Sequence, residues 1–153
     1  MINFKAATEP LDIVLVEDDD GDAKAIRRAL QKAGIANPVV RVIDGVEALS
    51  LLRGESGRAP PRYVLLVDLN MPRMNGIEFL AELRSDPRLK RAVVFVITTS
   101  DDVRDLMAAY GEQVAGYILK QRAGPNFDSL VATLDHYRRI VRLPDMRIAD
   151  VRH

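Results

Sequence analysis

Residues 11–34 read LDIVLVEDDDGDAKAIRRALQKAG: an aliphatic run meets four consecutive acids, Glu17 to Asp20, then Asp22 after one glycine, and gives way to helical spacing. Ile13 to Val16 is the continuous Ile, Val and Leu expected of a strand covered on both faces. Ala23, Ile26, Leu30 and Ala33 fall on one helical stripe, and Gly34 is placed to cap its end. The acids between strand and helix have two readings. Asp suits turns and helix N-caps, and anions suit the positive end of a helix dipole. Crowded carboxylates in a partly buried place, however, repel one another unless a cation or hydrogen-bond donors hold them ionised.

The same grammar repeats along the chain. Apolar runs recur at Leu11 to Val16, Val39 to Ile43, Tyr63 to Val67, Val93 to Ile97 and Ala115 to Leu119, the outer two more mixed, as edge strands are. Between them, Asp44 is placed to cap a helix carrying Val46, Leu49 and Leu52, which stops at Gly54 before the Gly and Pro loop ESGRAPPR. Asn75 and Glu78 have the form of a capping box before Ile77, Leu80 and Leu83. Ser100 is placed to cap a fourth helix with Val103, Leu106, Met107 and Tyr110, ending before Gly111. A fifth runs from about Asn126 with Phe127, Leu130, Leu134 and Tyr137. The apolar stripes are expected to be core. Alternating strands and helices predict an α/β fold, an open parallel sheet with helices on both faces. Ligands of such sheets bind at the carboxyl ends of the strands, near the point where strand order reverses.

Composition narrows the function. The 153 residues are the length of one domain, and 22 basic residues balance 22 acidic ones, so no global field draws the chain to nucleic acid or an anionic membrane. Without cysteine there is no disulfide, thiolate metal site or cysteine nucleophile. His136 and His153 make no metal-spaced pair. The start, MINFKAATEP, lacks a signal-peptide pattern and no apolar run approaches membrane-spanning length, so a soluble cytoplasmic protein is expected.

The strand ends carry the chemistry. The first ends in Glu17 and Asp18, the third in Asp68, the fourth in Thr98 and the fifth in Lys120. Carboxylates converging on one crevice suit a hard, oxygen-ligated cation, and Mg²⁺ takes only one or two of them directly. A hydroxyl and an ammonium beside them complete a pocket for a phosphoryl group. Taken singly, each residue has a plainer explanation: Asp68 as a turn residue, Thr98 as a strand residue, Lys120 as a solvated lysine. Their common edge favours the functional reading.

Glu17-Asp18, Asp68 followed by LNMPRMNG, Thr98, Tyr117 and Lys120 resemble, in that order, the receiver domain of two-component response regulators, over roughly Leu11 to Val141. The resemblance implies a CheY-like, flavodoxin-like, doubly wound five-stranded parallel sheet of order 2-1-3-4-5 with five helices, a tail at 1–10, the receiver at 11–141 and an extension at 142–153 without an output domain. It makes Asp68 the phosphoacceptor. Asp18, Asp68 and the backbone carbonyl of Asn70 become ligands of Mg²⁺ or Mn²⁺, with Glu17 acting through water. Thr98 and Lys120 would bind the phosphoryl group, and Tyr117 would follow the state of Thr98. The implied partner is a sensor histidine kinase, the implied output a change on the face of the fourth helix, fifth strand and fifth helix, and the implied role that of a phosphoacceptor assisting its own phosphorylation and hydrolysis rather than an enzyme.

One departure stands out: where most receivers follow the lysine with a cis proline, this chain has LKQRAGP. A cis bond before a non-proline residue costs about 2.5 to 4 kcal/mol, so a trans Lys120-Gln121 bond is expected. That feature and the tail resemble the single-domain regulators that pair with bacterial and cyanobacterial phytochromes, including bacteriophytochromes. The tail, VRLPDMRIADVRH, is too short for a DNA-binding output domain. Its apolar residues and Tyr137, Val141 and Leu143 suggest a homodimer contact. Among rivals, a phosphatase with an aspartate nucleophile would need a second Asp where Asn70 stands. A nucleotide module lacks the glycine fingerprint. A receiver fold serving as a binding surface without phosphorylation remains open.

Overall fold

The computed structural model describes residues 11–35 and 39–148. The expected N-terminal tail and the last five residues lie outside them. Five strands, β1 (Ile13–Val16), β2 (Val40–Val42), β3 (Val64–Val67), β4 (Val93–Thr98) and β5 (Gly116–Leu119), form one parallel sheet in the order β2-β1-β3-β4-β5. Each expected strand is present, and the two mixed ones are the edges. Alternation sorts the side chains: Ile13, Leu15, Val64, Leu66, Phe95 and Ile97 face one core, while Val14, Val16, Leu65, Val67, Val94 and Val96 face the other. Burial on both sides explains why the central strands are continuously aliphatic.

Helices α1 (Asp20–Lys32) and α5 (Asp128–Ile140) cover the first face through Ile26, Leu30, Leu130 and Leu134. Helices α2 (Gly45–Leu52) and α3 (Gly76–Ser85) cover the second through Ala48, Leu49, Phe79, Leu80 and Leu83. Asp19, Asp44 and Asn75 cap α1, α2 and α3, and Asn75 forms the full capping box with Glu78. Gly34, at φ +66, supplies the left-handed turn after α1.

The fourth helix, α4 (Val103–Gly111), departs from expectation three times. Its cap is Asp102, not Ser100, whose hydroxyl instead donates to Asp105 Oδ2 at 2.5 Å. Gly111 is its last residue rather than the one beyond. Its apolar stripe is not core: only Ala109 is fully buried, and Val103, Met107 and Tyr110 are 67, 66 and 48 % exposed. Periodicity reports a face that favours cover, not whether the same chain supplies it. The fifth helix starts two residues later than expected, because Asn126 and Phe127 both take left-handed φ in a 3₁₀ turn (Pro125–Phe127) that Pro125 begins.

Residues 141–148, beyond α5, are docked rather than loose. Leu143 packs on the α1 and α5 face and Met146 on the opposite one, while the Met146 amide donates to the Pro61 carbonyl at 2.7 Å and Asp145 pairs with Arg62 at 3.4 Å.

Gly76 shows how tightly the site is backed. Its amide donates to the Leu69 carbonyl at 2.9 Å, and a Cβ there would lie 2.6 Å from the Asp68 carbonyl oxygen and from Leu69 Cα. Backbone cannot swing aside as a side chain can. Gly76→Ala is therefore expected to cost about 1–3 kcal/mol, read as a lower urea midpoint at unchanged slope. Gly111→Ala, into open space in a helix, should instead add up to about 1 kcal/mol of stability and raise the midpoint. Equal effects at the two glycines would contradict this account.

Candidate functional site

The strand ladders set the positions of the acids. Val16 pairs with Val67, and Val67 with Val96, so the residues that follow β1 and β3 emerge side by side. The Asp68 amide donates to the Val16 carbonyl at 2.9 Å and the Glu17 amide to that of Val42 at 3.0 Å, extending the ladder into the site. The site thus lies where β1 connects towards β2 on one side while β3 leads on to β4, the switch point of the sheet.

Glu17, Asp18 and Asp68 each offer a carboxylate oxygen within 4.8 Å of the others. Glu17 is fully buried, Asp68 is 6 % exposed, and Asp18 is at the solvent mouth. From β5, Lys120 extends its ammonium to 2.6 Å from Glu17 Oε1, 2.7 Å from Asp22 Oδ2 and 3.0 Å from Asp68 Oδ2. The other Asp68 oxygen, Oδ1, accepts from the Asn70 amide at 3.1 Å.

This crowding separates the acids electrostatically. Burial first, then the neighbouring Asp68, pushes Glu17 up to about 8 against the pull of Lys120. At Asp68 burial works against ionisation, but hydrogen bonds with Glu17, the Asn70 amide and Lys120 outweigh it and hold the carboxyl below its ordinary value. Burial likewise opposes the charge on Lys120, and its acidic partners overcome it and raise the ammonium. The site therefore favours charge on Asp68 and a proton on Glu17.

Thr98, buried at the end of β4, accepts from the Ser100 amide at 3.3 Å. Tyr117 on β5 donates its hydroxyl to the Ser100 carbonyl at 2.8 Å. One peptide segment leading into α4 is thus held by both. The turn after Lys120 is a 3₁₀ helix (Lys120–Arg122) with every described peptide bond trans, as the absent proline implied, and Gln121 reaches the Thr99 carbonyl at 3.3 Å. Tyr137 and Leu143 are not brought here; Tyr137 stacks edge-on to Phe95 at 5.2 Å.

Three contributors were not legible beforehand. Asp22 reads as a helix-start residue, yet its carboxylate binds Lys120, 98 positions away. Arg41 donates to the Glu17 carbonyl at 2.9 Å and pairs with Asp20 at 2.7 Å, bracing the acidic loop from β2. Asp44, 1 % exposed, caps α2 and also pairs at 2.7 Å with Arg73, whose φ of +61 lies in the loop after Asp68. Only the cap had a local signal, the spacing of Asp44 before an apolar stripe.

A doubly wound sheet with a buried, ionised aspartate at its switch point, flanked by two more acids, a hydroxyl and a lysine, defines an acidic receiver site. Residues 13–134 match the family model described as response regulator receiver domain, and the chain belongs to that family. Response regulator Rcp1 of Synechocystis sp. is 36 % identical over 115 residues, 74 % of this chain and 78 % of that protein. Among solved structures, the Mn(2+)-bound form of response regulator Rcp1 aligns with a TM-score of 0.77 at 32 % identity, over 88 % of this chain and 99 % of that one. The phosphorylated cyanobacterial phytochrome response regulator RcpA aligns at 0.72 and 35 % identity, over 88 and 99 %. The chain is thus a two-component receiver close to phytochrome-associated regulators, and among the described residues no helix is long and apolar enough to cross a membrane.

The buried proton has a measurable consequence. Glu17 is raised in the folded state from 4.5 to about 8, so the stability its protonated form contributes is complete below pH 4.5 and is lost as pH rises through 8. Asp68 and Lys120 stay charged across that window. In chelator-treated protein, the difference in melting temperature between the natural chain and Glu17→Gln should shift against the natural chain from pH 6 to 8. A difference that does not change with pH would refute the assignment of the proton to Glu17.

Proposed function

We propose that this chain is a response regulator receiver that accepts a phosphoryl group from the phosphohistidine of a sensor histidine kinase onto Asp68. The observation that carries the reading is the arrangement of the site: the Asp68 carboxylate is bonded by the Asn70 amide and Lys120, with two further acids within 4.8 Å, the set a divalent cation would need. An oxygen of Asp68 attacks phosphorus in line, the P–O bond forms as the P–N bond breaks, and the imidazole leaves with the electron pair. Asp18, Asp68 and the Asn70 carbonyl are the ligands we assign to Mg²⁺, with Mn²⁺ as an alternative and Glu17 acting through water; the ion would neutralise charge on the transferring group. Lys120 gives up part of its contact with the acids to pair with a phosphoryl oxygen.

The proposed signal leaves through Ser100. When the Thr98 hydroxyl turns to donate to a phosphoryl oxygen, the Ser100 amide loses its acceptor, and Tyr117 is coupled because it holds the carbonyl of the same residue. The affected surface is α4, β5 and α5, where the exposed Val103, Met107 and Tyr110 stand. A phytochrome kinase is the proposed donor, supported by the likeness to RcpA. Self-association through the end of α5 is also proposed; since Tyr137 and Leu143 already pack within the chain, its contact falls to Ile140, 86 % exposed, and Val141.

Intact mass after mixing with a small phosphodonor and Mg²⁺ should show one added phosphoryl group, absent with EDTA and in Asp68→Asn. No adduct after a rapid quench would favour an unphosphorylated binding module. Sedimentation at rising concentration, with and without phosphodonor, should show a dimer that Ile140→Glu abolishes; a strictly monomeric mass under both conditions would exclude it.

A further inference from the structure

At the opposite end of the sheet from the acids, beside the amino-terminal ends of β3 and β4, lies a cavity of about 860 Å³. That is within the range of small-molecule pockets. The end of α2, the Pro60-Pro61 loop, the turn after α3 and the docked C-terminal segment enclose it. Its charged lining is of one sign. Arg53, Arg58, Arg88, Arg91 and Arg147 line it, and among the described residues no Asp or Glu does. Asp86 pairs with Arg53 at 3.1 Å and with Arg88 at 3.7 Å, and Asp145 pairs with Arg147 at 2.6 Å. Arg58 is exposed and has no ion pair among the described residues.

Apart from Tyr63 the rest of the lining is apolar, with Leu51, Leu89 and Met146 offering hydrocarbon in the same cavity as the arginines. Tyr63, 3 % exposed, also lines the cavity, and its buried hydroxyl has no hydrogen-bond partner among the described residues. Burial, with the charge of Asp86 adding, pushes this phenol up to about 12, so it is a neutral donor at physiological pH. A buried donor in the lining is available to a polar atom of an occupant.

We infer that this cavity is a binding site for a small amphipathic organic anion, its head on Arg58 and Arg88 at the rim and its hydrocarbon on Leu51, Leu89 and Met146. Guanidinium groups are suited to carboxylate or phosphate heads because they present paired donors. Neither the phosphoacceptor nor the acid cluster takes part. Because Met146 and Arg147 form one wall, an occupant also ties the C-terminal segment to the body of the domain.

Titration calorimetry on the full chain tests this, with decanoate as the anionic probe, decanol as its neutral counterpart and inorganic phosphate as a head without a tail. Decanoate should saturate at one site, with decanol and phosphate each at least about tenfold weaker, the loss expected for a charge-assisted pair or a buried chain. Arg58→Ala/Arg88→Ala, at two exposed positions, should weaken decanoate about tenfold while leaving decanol unchanged. Asp68→Asn should bind decanoate as the natural chain does. Absence of saturable decanoate binding, equal affinity in the double variant, or phosphate binding as tightly as decanoate would each overturn the inference.

Discussion

One ammonium among three carboxylates sets the terms for the rest of this molecule. Lys120 lies within 3.0 Å of Glu17, Asp22 and Asp68, with Asp18 at the mouth, and one positive charge cannot balance that many acids. The remaining charge is relieved by leaving a proton on Glu17, an arrangement that holds only until something more positive arrives. The site is therefore built with a deficit of positive charge. A divalent ion would meet an environment already prepared for it, beside an Asp68 that its donors hold ionised.

Such crowding persists only on a rigid support. The acids sit on the last rungs of strands whose side chains are buried on both faces, so the sheet cannot relax to separate them. The loop after Asp68 is held from behind by Gly76 on the Leu69 carbonyl and from the side by Arg73 on the buried Asp44. Next to this fixed half lies a weakly anchored one. Helix α4 buries only Ala109 fully and is led in by Ser100, whose amide and carbonyl are bonded to Thr98 and Tyr117. An element with few buried contacts is the one that a modest change in hydrogen bonding can move.

Much of this was legible from local pattern. Continuous aliphatic runs marked the central strands, Asp44 and the Asn75-Glu78 pair marked caps, and the acids, hydroxyl and lysine at strand ends marked the site. The failures share a physical cause. Ser100 looked like a cap because Ser, Asp101 and Asp102 are all competent, and the choice fell to the backbone geometry that lets Asp102 reach the Arg104 amide. The stripe of α4 looked like core because periodicity carries no information about what stands opposite it. Asp22 is the helix-start residue it looked like, and its second role went unread because its partner follows the far edge strand.

By itself, the sequence determined the strand and helix order, the two-sided burial of the central strands and the set of residues that end them, since these follow from side-chain period and turn chemistry within short windows. Tertiary structure alone decided that Asp22 joins Lys120, that Arg41 and Arg73 brace the acidic loops, that α4 keeps its apolar face outward and that five arginines surround one cavity. Those depend on which elements become neighbours after the sheet assembles. Charge and hydrogen bonding act through space, and a distance of 98 residues along the chain becomes 2.7 Å only when β5 takes its place at the edge.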